Sequence, residues 1–277
     1  MKVAAILARE ADVAIVMLAS FAHEGVDRES LSFDANMDGT CQVAAPGQDS
    51  LVELVAGTGT ATVVVATAPG AMLTPWRDIV DAIVYTGMPG QEFGNALADV
   101  LFGKVNPSAR LSVTMPNSEN EVGFTPKQYP GINLSAEYSE NFLIGYRYYN
   151  YYYIKPAFSF GHGLSYTTFR YTDLVADSSA VSVTVTNNGT VAGAEIAQLY
   201  ISFPYVPGIP PAQLKGFVKT AVLQPGQSQK VEFVLSWRDL SIWDTTVHDW
   251  AVVKGQFQAL VGASSTDLRL IDSFTVW

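Results

Sequence analysis

One short stretch of the chain, residues 20–28, contains the residue types that acid–base catalysis uses. Glu24 follows a histidine, is followed directly by Gly25, and has Asp27 and Arg28 within four positions. A general acid needs a carboxyl group whose position is fixed and whose pKa can be raised. Glu24 is therefore a candidate acid/base residue, and Asp27 with Arg28 is a candidate ion pair that fixes the loop. The same residues also fit a solvated surface loop, and that alternative stays open.

No other part of the sequence makes a comparable case for chemistry. Residues 34–39 contain the Asp, Asn and Gly typical of calcium loops, but they lack the ligand spacing and closing glutamate of an EF-hand. His162 and His248 have no metal-ligand partner at a suitable spacing. The single cysteine, Cys41, excludes an internal disulfide and a cysteine-rich zinc site. We therefore predict neither a metal nor a cofactor.

The composition excludes several classes of partner. The chain has 277 residues, 48% of them hydrophobic and 15% charged, with a formal net charge of −10. That hydrophobic fraction argues against intrinsic disorder, and the negative charge argues against nucleic acid. No apolar run approaches the roughly 18 residues of a membrane-spanning helix. The length leaves room for two domains with proper cores.

The elements that must position Glu24 are strands and helices in alternation. Apolar runs rich in β-branched residues predict strands that are buried on both faces, as in a parallel sheet; they cover residues 12–19, 62–68, 82–86 and 111–115. Helical spacing of apolar residues predicts helices over 48–56 and 91–102. Residues 1–116 are therefore predicted to form an α/β unit. Because functional loops of such sheets follow the carboxyl ends of strands, the loop with Glu24 is well placed.

The remainder of the chain changes character twice. Residues 117–175 lose regular periodicity and concentrate tyrosines between positions 146 and 153; we expect an irregular connector that packs over the first unit. The tyrosines are expected to pack with their hydroxyls at the surface, with sugar stacking as an alternative. From residue 176 to 277 the pattern alternates with period two and is punctuated by turn signals, which predicts an all-β sandwich.

Several segments, in this order, resemble glycoside hydrolase family 3. Residues 23–31 are similar to its EG-x-DR-x-x-L segment, residues 89–103 to its PGQE-x-G-x-ALADVLFG helix, and residues 106–111 to its NPSG-[RK]-L turn, with Ala109 where glycine is usual. The most specific match is FGHGLSYTTF at residues 160–169. Segments from residue 187 to 217 resemble the family's fibronectin type III-like domain. The resemblance covers nearly the whole chain.

The resemblance implies a retaining, exo-acting β-glycosidase of the β-glucosidase type. It implies an α/β fold, part of a parallel-sheet sandwich, over residues 1–116, followed after the connector by a fibronectin type III-like, immunoglobulin-like sandwich over 176–277. Glu24 matches the acid/base glutamate of that family, and Glu140 is the runner-up, with a structural role favoured for it. The family's N-terminal (β/α)8 barrel, which carries the nucleophilic aspartate, has no counterpart here, and the resemblance implies it as a partner.

These observations leave two functional hypotheses. The first is the C-terminal portion of a β-glucosidase that supplies the acid/base glutamate, is inactive alone and acts on carbohydrate. The alternative is a catalytically inactive carbohydrate-binding or scaffold protein made of the same domains. Residues 3–8 are too short for the apolar core of a signal peptide, yet low charge and an aromatic content of 12% favour an extracellular or periplasmic full-length protein. The sequons at Asn133 and Asn188 fit chance occurrence better than glycosylation. An unpaired sheet edge and an exposed apolar face are expected to make this chain aggregate or dimerise.

Overall fold

The computed structural model describes residues 1–22, 24–25, 28–34 and 47–277. Two compact units emerge from it, and each is described by itself. The first comprises Met1–Leu97 and Met115–Glu121, and the second comprises Ala98–Thr114 and Val122–Trp277. No helix among the described residues has the length and apolarity needed to cross a membrane.

The first unit is built on a parallel sheet, as the apolar runs predict. Its elements are α1 (Lys2–Arg9), β1 (Val13–Ala19), α2 (Gln48–Ala56), β2 (Ala61–Thr67) and β3 (Ala82–Tyr85). The strands are parallel in the order β1-β2-β3, with Val13 opposite Ala61 and Val63 opposite Ala82. The carboxyl ends of all three strands therefore lie at one edge of the sheet.

Strand β1 departs from the expected burial. Its residues Val16 and Leu18 are buried, whereas Val13, Ile15 and Met17 on the other face are each about half exposed. β1 is also an edge of the described sheet. The expectation of burial on both faces is therefore wrong for β1, because nothing among the described residues covers its outer face. It holds better for β2, where Val64, Val65 and Ala66 are fully buried.

The predicted fourth strand at residues 111–115 is absent. Instead, Leu111 forms two backbone hydrogen bonds with the segment around His162: its N–H donates to the His162 carbonyl and its carbonyl accepts the Gly161 N–H, both at 2.8 Å. Leu111 thus belongs to the second unit, whereas Met115 belongs to the first. A short apolar run says that a segment is buried but not which partner buries it.

The second unit contains the predicted β-sandwich. Helix α3 (Phe93–Leu101) spans the boundary between the units, and a short helix, α4 (Tyr146–Tyr151), precedes the strands. The strands are β4 (Phe169–Ala176), β5 (Ala180–Asn187), β6 (Ile196–Ser202), β7 (Gln213–Lys219), β8 (Ser228–Val234), β9 (Ser241–Asp244), β10 (Asp249–Val252), β11 (Gly255–Gly262) and β12 (Leu268–Val276). A four-stranded sheet, β12-β11-β6-β7, and a three-stranded sheet, β4-β5-β8, are accompanied by the hairpin β9-β10.

Alternating residues of both sheets form one core. Val181, Val183 and Val185 of β5 are fully buried, as are Leu199 of β6 and Phe257 of β11. The intervening residues of β5 are partly exposed, so the period-two pattern in the sequence records the inward and outward faces of the strand. The fold class is therefore an α/β unit followed by an all-β sandwich.

The tyrosine-rich connector belongs with the sandwich. Tyr146 is buried, its ring stacks on Phe160 with centroids 4.8 Å apart, and its edge meets Tyr200 at 5.8 Å. The Tyr146 hydroxyl accepts the Leu214 N–H at 2.8 Å. Residues 117–121 of the connector belong to the first unit and residues 122–175 to the second. The ring and hydroxyl of Tyr146 are used by the sandwich, and for residues 122–175 the expectation that the connector packs over the first unit stays a prediction. Tyr153, by contrast, is 93% exposed.

Candidate active site

Glu24 lies in a turn just beyond the carboxyl end of β1. Its side chain is exposed, and Gly25 after it adopts a φ of +80°, in the left-handed region that favours glycine. The Ser20 N–H donates to the Thr67 carbonyl at 2.9 Å, so the β1–β2 pairing continues one residue past β1. The sheet therefore places Glu24 at the edge where parallel-sheet proteins build their functional loops.

Arg28 connects this loop to the loop after β2. Its Nη2 donates to the Ala71 carbonyl at 2.7 Å. The hydroxyl of Tyr85, at the end of β3, lies 3.1 Å from the Ala68 carbonyl and 3.3 Å from that of Gly70. Burial raises the pKa of Tyr85, against the lowering effect of the Arg28 charge, so this phenol remains protonated and donates. Arg28 and Tyr85 together fix the loop after β2.

Helix α2 also bonds to the loop. The Gln48 side chain bonds to Ala19 and to Phe33: Oε1 accepts the Ala19 N–H at 2.9 Å, and Nε2 donates to the Ala19 carbonyl at 3.1 Å and to the Phe33 carbonyl at 2.9 Å. The carboxylate of Asp49, which is buried, accepts the Ser32 hydroxyl and the Trp76 indole N–H, each at 2.7 Å.

Glu119 provides a further attachment. Its Oε1 accepts hydrogen bonds from the Ser30 hydroxyl and, at 2.6 Å, from the Leu31 N–H. The Leu31 carbonyl in turn accepts the Leu73 N–H at 3.0 Å. The chain from residue 28 to 34 is thus fixed by polar contacts to three other segments of the first unit. Such pre-organisation is what a catalytic carboxyl group requires of its supporting loop.

The other candidates are placed as follows. Asp27 and most of residues 34–39 lie outside the described residues, and with them the Asp27–Arg28 pair and the calcium alternative. Glu140 lies in the second unit, where its Oε2 accepts a hydrogen bond from the Gln128 amide at 3.1 Å. His248 is exposed. Among the described residues, no group of three or more His, Cys, Asp or Glu side chains is arranged to hold a metal ion.

The supporting residues Gln48, Asp49, Trp76 and Glu119 were not singled out from the sequence. The one available signal was the pair of polar residues that opens α2 directly after Gly47, which adopts a left-handed φ of +87°. Polar residues in a first helical turn are common, so their type alone does not distinguish a loop anchor from an ordinary helix start. The distinction requires knowledge of which backbone groups lie opposite.

The described structure combines an α/β unit, with a hydrogen-bonded loop at the carboxyl ends of its strands, and a β-sandwich. The profile of the Glycosyl hydrolase family 3 C-terminal domain matches residues 1–166, and that of the Fibronectin type III-like domain matches residues 195–265. Since the first match covers more than half of the chain, the chain belongs to glycosyl hydrolase family 3.

Similar proteins are β-glucosidases by name. "Probable beta-glucosidase L" of Aspergillus terreus is 39% identical over 297 residues, which cover 97% of this chain and 39% of that protein. "Thermostable beta-glucosidase B" of Acetivibrio thermocellus is 38% identical over 283 residues, covering 97% and 36%. The chain thus spans less than half the length of these relatives.

Solved structures agree with the fold. Beta-glucosidase D2-BGL from Chaetomella raphigera matches with a TM-score of 0.86 and 36% identity, over 99% of this chain and 41% of that one. DesR, a beta-glucosidase from Streptomyces venezuelae solved in complex with D-glucose, matches with a TM-score of 0.89 and 33% identity, over 98% and 34%.

Proposed function

We propose that the chain acts as the C-terminal portion of a retaining, exo-acting β-glycosidase of the β-glucosidase type, with Glu24 as its acid/base. One observation carries this proposal: in a family 3 domain, Glu24 is exposed in a turn just beyond the carboxyl end of β1, and residues 28–34 after it are held by hydrogen bonds to the rest of the first unit. The names of the relatives support a glucoside as substrate.

The proposed reaction divides the work between two carboxyl groups. In a retaining glycosidase these groups lie about 5–5.5 Å apart, one as nucleophile and one as acid/base. Glu24 protonates the leaving glycosidic oxygen and later takes a proton from the attacking water. The nucleophile belongs to the barrel that the family resemblance implies as partner, so this chain alone supplies half of the pair and is expected to show no turnover.

The test uses a barrel-containing version of the protein, for example this chain joined to the N-terminal portion of thermostable beta-glucosidase B. Glu24→Ala is expected to lower kcat/KM for an alkyl glucoside by about 10²–10⁴-fold, the usual contribution of a general acid. For a dinitrophenyl glucoside kcat/KM should change little, because that leaving group departs without a proton. Added azide should raise kcat of the variant with the dinitrophenyl substrate, since azide attacks the glycosyl-enzyme without a base.

The runner-up carboxyl group serves as the matched control. Glu140→Ala should leave the ratio of the two kcat/KM values unchanged. If Glu140→Ala shows the leaving-group dependence and azide rescue, and Glu24→Ala does not, the acid/base role passes to Glu140. A fully active Glu24→Ala enzyme with the alkyl substrate excludes Glu24.

A second candidate is a non-enzymatic carbohydrate-binding or scaffold protein. It is favoured by exposed tyrosine rings in the second unit: Tyr138 and Tyr153 are 80% and 93% exposed, and such rings stack on sugars. Calorimetric titration of this chain with cello-oligosaccharides, beside an aryl-glucoside assay of the barrel-containing version, separates the two. Binding to the chain without turnover in the barrel-containing version favours the second candidate.

We also propose that the full-length protein works outside the cytoplasm, in an extracellular or periplasmic space. The low proportion of charged residues, 15%, supports this. Fractionation of cells that express the complete reading frame, with activity measured in each fraction, tests it; activity confined to the cytoplasm contradicts it.

A further inference from the structure

The loop that carries Glu24 has two stems, and one side chain contacts both. Ala19 ends β1 directly before the loop, and Phe33 is the next-to-last residue of the described stretch 28–34 that follows Glu24. The Gln48 amide bonds to the N–H and the carbonyl of Ala19 and to the carbonyl of Phe33, at 2.9, 3.1 and 2.9 Å. The two stems are thereby held at a fixed separation.

Gln48 is itself held firmly. It opens α2, whose residues Val52 and Val55 are 0% and 4% exposed. The next residue, Asp49, is bonded to Ser32 and Trp76 through its buried carboxylate. A hydrogen-bonding group attached to a packed helix transmits the position of that helix to the loop it contacts.

The chemistry of this contact requires a glutamine. A primary amide offers one acceptor oxygen and two N–H donors, and all three are used here. A glutamate keeps the acceptor but loses both donors, and a methionine keeps the length but loses all three bonds. An asparagine is one methylene shorter. The site therefore distinguishes glutamine from its closest relatives in shape or chemistry.

We propose that Gln48 is a positioning residue for catalysis: by clamping Ala19 and Phe33 it holds Glu24 where it can reach the glycosidic oxygen. This inference rests on the proposed acid/base role of Glu24. It assigns no contact with substrate to Gln48. Small displacements matter for such a group, because a shift of about 1 Å in a reacting group can cost about 10²-fold in rate.

The test compares Gln48→Met with two reference variants in the barrel-containing version. Gln48→Met is expected to lower kcat/KM for an alkyl glucoside by roughly 10-fold or more while leaving that for a dinitrophenyl glucoside nearly unchanged. Glu24→Ala shows the full extent of the same effect. Val52→Ala, which weakens the buried side of the same helix without touching the loop, should lower thermal stability but leave the ratio of the two kcat/KM values at its wild-type level.

A second variant covers the case in which Gln48→Met does not fold. Gln48→Glu preserves the shape and loses both donors, and it should shift the same ratio in the same direction. The positioning role is overturned if the Gln48 variants lose kcat/KM equally for both glucosides, or lose it for neither. If Glu24→Ala itself shows no leaving-group dependence, the proposed function fails. If Glu24→Ala shows it and neither Gln48 variant does, only the present inference fails.

Discussion

Arg110 and Glu195 form an ion pair whose side chains are 7% and 3% exposed. Arg110 Nη2 lies 2.5 Å from Glu195 Oε1, and the same oxygen accepts the Ile196 N–H at 2.7 Å. Arg110 precedes the first half of the connector, whereas Glu195 leads directly into β6. The pair thus ties residues that are 85 positions apart in sequence, and it does so inside the second unit.

Removing one member of this pair should be costly. Arg110→Met leaves the Glu195 carboxylate buried without its counter-ion, and we expect the free energy of unfolding to fall by about 3–5 kcal/mol. Denaturant unfolding monitored by near-ultraviolet circular dichroism measures it. The exposed pair Lys104–Asp99 is the control: Lys104→Met should cost at most about 1 kcal/mol. Equal effects of the two substitutions contradict the expectation.

Gly161 should not accept a side chain. Its φ is +80°, and a Cβ at this position would overlap Gln198 Oε1. Gln198 is buried and cannot move freely, since its amide donates to the Gly161 and Ala263 carbonyls and accepts the Tyr200 hydroxyl. We expect Gly161→Ala to destabilise the second unit by about 2–4 kcal/mol, the cost of a positive φ and of overpacking combined.

Gly226 separates these two costs. It has a similar φ, +82°, but a Cβ added there would meet only open space. Gly226→Ala should therefore lower the free energy of unfolding by only about 1–2 kcal/mol, the conformational cost alone. Thermal unfolding of both variants under one set of conditions gives the comparison; equal losses would mean that Gln198 yields without cost.

His162 should make stability depend on pH. Burial lowers its pKa below the ordinary 6.5, the Arg110 charge lowers it further, and Asp267 opposes. Below pH 6.5 the unfolded chain binds a proton that the folded chain resists, so the contribution of His162 is present above 6.5 and lost as the pH falls from there toward the folded-state pKa. His162→Gln should flatten the fall in stability that begins as the pH drops through 6.5.

The exposed His248 provides the matched variant for that measurement. His248→Gln, which makes the same replacement at an exposed position, is the reference, and the unfolding free energy of both variants is measured by denaturant titration at a series of pH values. The titrating carboxylates are the same in both variants. The difference between their pH profiles of unfolding free energy therefore reports the contribution of His162. A profile that flattens in neither variant refutes the assignment.

The outer face of β1 should make the isolated chain self-associate. Val13, Ile15 and Met17 are 51%, 48% and 50% exposed, along a strand at the edge of the described sheet. Exposed edge strands with apolar residues pair with other chains. We expect dimers or larger species whose amount rises with concentration in sedimentation velocity or light scattering.

Charge on this face should reverse the association. Ile15→Lys combined with Met17→Lys is expected to shift the chain toward monomer, because lysine on an edge strand opposes pairing. Ile79→Lys, at a comparably exposed position (55%) outside the strands, is the control and should leave the association unchanged. A wild-type chain that is a monodisperse monomer contradicts the prediction outright.

Local pattern predicted part of the fold. The apolar runs predicted β1, β2 and β3 within a residue or two, and the period-two alternation predicted the all-β character of residues 176–277. The sequence did not reveal β9 and β10, which have four residues each, nor the edge strand β7, whose residues are mostly half-exposed. Short or unevenly buried strands leave too few alternations to be recognised.

The sequence likewise indicated some residues of the candidate site and missed others. The residues around Glu24, read with the family motif, pointed to the loop and to the carboxyl group proposed as acid/base. They did not point to Gln48, because a glutamine at a helix start carries no mark of the backbone groups it will face. Likewise the apolar run at Leu111 indicated burial, and only the fold paired it with His162 rather than with a fourth strand.

The sequence by itself determined the α/β and all-β character of the two parts, because periodicity reflects which side chains face a core. It also determined family membership, because ordered motifs are a property of the chain alone. The tertiary structure decided which segments anchor the Glu24 loop, which unit buries the tyrosine-rich connector, and which face of β1 stays exposed. Those outcomes depend on contacts between residues far apart along the chain, which local spacing does not encode.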